Sequence, residues 1–331
     1  MGHQRRYYQH HSVCMITNRL AEGLPFVPND FINALLIGAL ARASARNPGI
    51  VICSYTFLQN HYHLVVFINT DELEMASFLH DLDDEIAKIT KKILGKRNVK
   101  IWAQRPHVAV IGDFQAVINQ IAYSLLNAVT ANFCRKASEW IGLTSFPFLF
   151  DQTPTSHKWV RTGSIGTLPN APFSKRSVNR LKLHWENSPG KYFTLSVQPY
   201  CWKGQFSESR NISDEQLLDR ILTQVAEGEL LAEKIRKKEK CNLCNTQQLA
   251  LQNPHKQYKP KKYGRRVYCI CTDPELRKQM IALYSAFCTK CADVWTSWRR
   301  GNLSAKYPPG AFIPSRSPLA SLLPEPYFPS P

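Results

Sequence analysis

Two apolar runs set back to back constrain this chain more than any other feature. Ile50 to Leu58 and Leu64 to Ile68 are rich in β-branched and aromatic residues, with Gln59-Asn60 between them. The segment therefore reads as two strands joined at a turn. Directly after that turn comes His61-Tyr62-His63. Side chains alternate faces along a strand, so His61 and His63 share a face about 7 Å apart along the backbone, and Tyr62 takes the other. Two imidazoles in that relation can hold one divalent metal and leave positions open for a substrate phosphate. The plainer alternative is a pair of half-buried polar residues on a sheet.

A second segment bears on the choice. Asp113 to Cys134 reads as one amphipathic helix with Asp113 as its N-cap after Gly112. Phe114, Val117, Ile118, Ile121, Leu125, Val129 and Phe133 keep to one broad face. Asn119, Tyr123 and Asn127 fall on a different stripe, at i, i+4 and i+8. A helical tyrosine is commonly core packing, but amide neighbours weaken that reading here. A phenol beside a metal-held phosphate can act as a nucleophile, and Asn127, one turn on, can add an oxygen ligand.

These residues resemble a family. Thr17-Asn18-Arg19, then Gly23-Leu24-Pro25-Phe26, the stretch Phe57 to Leu64, Tyr123 through Asn127, and Trp140 to Phe146 look like the single-tyrosine HUH-type DNA transposases. The likeness is strongest to the REP-associated tyrosine transposases and covers roughly residues 10 to 150. The resemblance implies that His61 and His63 are ligands for Mg²⁺ or Mn²⁺, with Asn127 in the place of a third ligand. It implies that Tyr123 is the nucleophile, forming a 5′-phosphotyrosine during single-strand cleavage and joining in DNA transposition, with hairpin-forming repeats as targets. Arg19 joins the expected DNA contacts. Ala128 stands where the family usually has proline, and Ala131-Asn132 where a small residue and glycine often follow. The competing expectation is a domesticated DNA-binding protein that keeps the fold and has lost cleavage; an RNA-binding module is a third.

The rest of the first 150 residues fits an α+β class. Ser12 to Leu20 reads as a strand, Asn29 to Asn47 as a helix, Asp71 to Leu94 as a second helix ended at Gly95, and Lys100 to Ile111 as a last strand before the tyrosine helix. The order β-α-β-β-α-β-α is the ferredoxin-like pattern with an added helix. It predicts an antiparallel sheet with helices on one face and the other face open, which the resemblance implies is an HUH nuclease core.

Charge points the same way. Residues 1–150 carry 14 Lys/Arg and 11 Asp/Glu, and residues 151–331 carry 28 and 14, so most of the net +17 lies in the second half. Such an excess favours a polyanionic partner, here DNA that is single-stranded or folded into hairpin repeats. It concentrates in Lys234 to Lys240 and in Lys256 to Tyr268. In the second run Lys259, Lys261, Lys262, Arg265 and Arg266 alternate with Tyr258, Tyr263 and Tyr268, combining phosphate contacts with stacking surfaces. A solvated basic face is the bland alternative.

Residues 151–215 read as a loop-rich connector and 216–306 as a basic helical and strand region, with helices over Asp214 to Leu231 and Pro274 to Trp298. Residues 307–331 read as a proline-rich tail. Cys241, Cys244, Cys288 and Cys291 form two Cys-x-x-Cys pairs that can bind zinc, though 43 residues separate them and buried small hydrophobes are the alternative. No apolar run is long enough to span a membrane and no secretory leader is evident, so reduced thiols and a cytoplasmic location are expected. Monomer and homodimer both stay open.

Overall fold

The structure, a computed structural model, describes residues 7, 9–70, 72–257, 266–311 and 313. The chain begins with β1 (Val13–Arg19), α1 (Asp30–Arg46), β2 (Ile50–Phe57), β3 (His61–Ile68), α2 (Glu72–Leu94), β4 (His107–Ile111) and α3 (Phe114–Thr130). It continues with β5 (Thr155–Val160), α4 (Lys175–Asn187), β6 (Gly190–Leu195), α5 (Asp214–Glu239), α6 (Thr246–Ala250), β7 (Cys269–Ile270) and α7 (Pro274–Arg299). It is an α+β protein built on a mixed five-stranded sheet in the order β2-β3-β1-β4-β7.

Strand alternation sorts the core. Tyr62, Leu64, Val66 and Ile68 of β3 join a cluster with Leu36 and Leu40 of α1 and Phe78 and Leu82 of α2. Val65 and Phe67 face the other way, into a cluster with Ile121 and Leu125 of α3 and Leu217 and Ile221 of α5. Slipping β3 by one residue would exchange the two sets, so burial on both faces specifies the register. Helix starts follow side-chain chemistry: the Asn29 side chain accepts from Ile32 N, and that of Asp113 from Ala116 N, each satisfying a donor the helix leaves free.

The sheet departs from the sequence expectation in two respects. It is not wholly antiparallel, because β7 pairs parallel with β4 through Val110–Cys269 and Ile111–Ile270. Nor is either face open. Val13, Met15, Val65 and Phe67 make the second face apolar; α3 covers it, and α5 packs on α3 in the same apolar cluster. The last strand of the expected core starts at His107 rather than Lys100. Residues 100–106 are held in an irregular run: Leu20 bridges Trp102, whose indole N–H donates to Asp83 O at 2.9 Å, and Pro106 has no N–H for a ladder. Helix α3 ends at Thr130, four residues short of Cys134, and Asn132 beyond it takes a left-handed backbone (φ 61°).

Residues 151–215 hold more regular structure than the sequence period suggests. Strands β5 and β6 pair as a second sheet and, with α4, pack over α1. Val178, Leu181 and Trp185 turn the one apolar stripe of α4 inward. Gly38 of α1 permits the close approach, since a Cβ there would run into the Lys158 carbonyl oxygen of β5. Helix α5 continues past Leu231 to Glu239. Apolar residues from both halves of the chain therefore share the two layers. No described helix is long and apolar enough to cross a membrane. Lys259, Lys261, Lys262, Arg265 and residues 314–331 of the tail lie outside the described residues.

Candidate active site at the head of the histidine strand

His61 and His63 open β3, and β1 runs antiparallel beside it with Arg19 opposite His61 and Thr17 opposite His63. On the other side, Thr56 of β2 pairs with His63. The two imidazole rings lie 4.9 Å apart between centroids, nearly perpendicular at 87°. Helix α3 brings the Tyr123 ring to 5.4 Å from that of His63, at 76°. Tyr123 is 47% exposed, whereas His63 at 4% and Asn127 at 8% are buried beside it. Asn127 Nδ2 donates to Tyr123 O at 3.2 Å, and its side chain also reaches His61. Asn119 shares their stripe but accepts from Gln115 Nε2 at 2.9 Å.

A chain of buried serines fixes α3 against the sheet at this level. Ser54 Oγ of β2 donates to Ser124 Oγ at 3.3 Å and lies 3.1 Å from Ser145 Oγ, which accepts from Tyr55 N at 2.9 Å. Ser124 follows Tyr123 directly, so the contact sets where the phenol emerges. On the far face of β3, Tyr62 OH donates to Asp83 Oδ1 at 2.7 Å and Asn18 Nδ2 donates to Oδ2 at 2.8 Å. Asn18 Oδ1 in turn accepts from Arg19 N at 2.9 Å. These groups carry no periodic signal in the sequence, although Thr17, Asn18 and Arg19 fall in a motif noted there.

Both histidines are kept neutral. Burial, with the Arg19 charge adding to it, pushes His61 down to about 4, against an opposing hydrogen bond with Asn127. His63 is held well below its ordinary value by burial, then by His61 and Arg19. His61 Nδ1 lies 2.7 Å from Asn60 Oδ1, an oxygen that only accepts, so that nitrogen carries the proton and Nε2 the lone pair. His63 Nδ1 lies 2.8 Å from Thr17 Oγ1, while its Nε2 is buried and has no partner. An orphaned imidazole nitrogen, a second neutral imidazole and an amide oxygen one turn from the tyrosine make a donor set that suits a divalent cation.

Other residues singled out in the sequence are placed differently. Gln257 Nε2 donates to Glu22 Oε2 at 2.7 Å, and Arg266 donates to Arg105 O at 2.7 Å. Ala103 N donates to Arg19 O at 2.9 Å, so both flanks of the basic run are tied near the Arg19 end of β1. Cys241 and Cys244 are exposed beyond α5, while Cys288 and Cys291 sit on α7 with Cys291 buried. Among the described residues no group of three or more His, Cys, Asp or Glu forms a metal cluster, so the two cysteine pairs are not brought together.

No family model matches the chain, and no curated protein matches it. It is similar to a solved REP-associated tyrosine transposase bound to a REP hairpin, at 16% identity over 44% of this chain and 84% of that one, with a TM-score of 0.36. A likeness this slight carries no weight for the chemistry, which rests on the side chains themselves.

Proposed function

We propose that this chain is a metal-dependent single-strand DNA endonuclease and strand transferase, a transposase with Tyr123 as its nucleophile. The observation that carries the reading is the half-exposed Tyr123 ring 5.4 Å from His63, whose Nε2 is buried without a partner. The Tyr123 oxygen attacks phosphorus and loses its proton to water at the exposed side chain. The bond from phosphorus to the 3′-oxygen breaks and that oxygen takes a proton from water, leaving a 5′-phosphotyrosine and a 3′-hydroxyl. One phosphodiester has replaced another, so a second 3′-hydroxyl can reverse the step and join a new strand.

His61, His63 and Asn127 would hold Mg²⁺ or Mn²⁺, which when bound supplies charge that polarises the scissile phosphate. Thr17 and Asn60 orient the two imidazoles beforehand, and Arg19 adds a cation opposite His61. The strand order β2-β3-β1-β4, with α1 and α2 sharing one layer, supports a ferredoxin-like core of the HUH type. The basic run from Lys259, Lys261 and Lys262 to Arg265 and Arg266 is assigned to DNA, in keeping with flanks tied near Arg19. The substrate is single-stranded DNA beside a hairpin, and the setting is the cytoplasm.

The test incubates purified protein and Mn²⁺ with labelled hairpin-bearing single strands and looks for a denaturation-resistant adduct. An adduct lost in Tyr123→Phe supports the reading. Binding without any adduct moves the chain to the non-cleaving DNA-binding alternative.

A further inference from the structure

The hairpin β5–β6 and helix α4 carry a charge pattern that the tyrosine site does not use. Residues 152–207 contain eight Lys/Arg and a single acid, Glu186. Helix α5, by contrast, mixes five Lys/Arg with seven Asp/Glu and forms a Lys237–Glu233 pair at 2.7 Å, the pattern of a solvated helix face. On α4, Val178, Leu181 and Trp185 face the core. Arg176, Asn179, Arg180 and Leu183 are exposed on the opposite face, with Lys175 on the flank. Lys182 lies 3.5 Å from Asp30, while Lys175, Arg176 and Arg180 have no carboxylate within ion-pair distance among the described residues.

We propose that the outward face of α4 is a docking surface for double-stranded nucleic acid, gripping the phosphate backbone. Arg176 and Arg180 are one helical turn apart, about 6 Å, on a rigid support. On each strand duplex DNA carries one phosphate per 3.4 Å or so of helix axis, so a rigid pair meets a regular row. Guanidinium groups suit phosphate because their donors form a planar fork. The stripe has no aromatic residue, and a single-strand groove needs such platforms for unpaired bases. Leu183 is its one large exposed hydrophobe, too little apolar area to embed a helix in a bilayer surface.

The surface is tied to the histidine end of the sheet. Asp30, the partner of Lys182, begins α1, and the loop before it donates from Phe26 N to Gln59 O in the β2–β3 turn. Helix α4 therefore lies toward the end of the sheet that bears His61, in the layer opposite Tyr123. The surface stands apart from cleavage: it requires duplex affinity, whether or not Tyr123 reacts.

The test measures anisotropy of a labelled blunt DNA duplex across a salt series, for the parent, for K175A/R176A/R180A, and for R277A/K278A/K290A. The last removes three exposed charges from α7. Loss of two to three phosphate contacts should weaken duplex binding by about tenfold or more and lower the log K against log salt slope by about 2, with the α7 variant near the parent. Parent-like binding by the α4 variant overturns the proposal, as does an equal loss in both variants, no duplex binding by the parent, or a loss confined to phosphatidylserine vesicles. Matched melting temperatures establish that the variants fold. Adduct formation on a stemless single strand, unchanged in the α4 variant, separates this result from the fate of the tyrosine reading.

Discussion

Thr17 Oγ1 lies 2.8 Å from His63 Nδ1, and the other nitrogen of that ring is buried with nothing to bond. A buried unpaired polar atom costs about 1–3 kcal/mol, so His63 is a local liability in the metal-free protein. In His63→Leu the orphan goes, at the expense of leaving the Thr17 hydroxyl unpaired. Unfolding in EDTA should therefore show unchanged stability or a gain of up to about 1 kcal/mol, while Mn²⁺ binding and adduct formation disappear. A loss above about 2 kcal/mol in EDTA would mean that His63 is a structural residue.

Tyr62 and Tyr123 are separated by the sheet. Tyr62→Phe leaves Asp83 Oδ1 without its 2.7 Å donor and should cost about 1.5–3 kcal/mol in urea unfolding, yet keep the adduct. Tyr123→Phe should melt as the parent does and form none. The assignment of faces fails if the two variants exchange these behaviours.

Asp113 joins α3 to the start of α7. Its carboxylate accepts from Ala116 N at 2.7 Å, from Thr272 Oγ1 at 2.7 Å and from Thr272 N at 2.6 Å. Burial alone would raise its pKa, but hydrogen bonds from the Thr272 side chain and from backbone N–H groups outweigh that and lower it. With a folded value below the unfolded one, this stability is present above the ordinary carboxylate pKa and is lost as pH falls through the folded value. Asp113→Ala should cost about 2–3 kcal/mol at neutral pH, the sum of a cap and a tertiary tie. The difference from the parent should shrink below about pH 4, and a gap that persists there in acid titrations would exclude the charge as its source.

Gly38 sits where α1 meets the β5 backbone, and a Cβ would collide with the Lys158 carbonyl oxygen. Backbone yields less readily than a side chain, so Gly38→Ala should destabilise by about 1–3 kcal/mol despite the better helix propensity of alanine. Limited proteolysis should open residues 151–195 first. A variant as stable as the parent and no more sensitive there would show that the hairpin packs less closely than described.

Local chemistry made much of this protein legible before any tertiary contact was known. The β-branched runs around Gln59-Asn60 dictated paired strands, and alternation then placed Tyr62 opposite His61 and His63. Asn29 and Asp113 marked helix starts because their side chains accept from the first free N–H groups. Tyr123 and Asn127 shared a stripe because of helical period alone. What needed the folded chain was every relation between distant segments. Thr17 meets His63 across 46 residues and Ser54 meets Ser124 across 70, and neither pairing leaves a trace in local pattern. Helix α4 was unreadable because one narrow apolar stripe suffices when α1 lies beneath it. Parallel β7 answers to nothing local, and the covering of the second face by α3 followed from the need to bury Val65 and Phe67. Periodicity tells a segment which of its faces is apolar; only the competition among all such faces for burial decides which segment covers which.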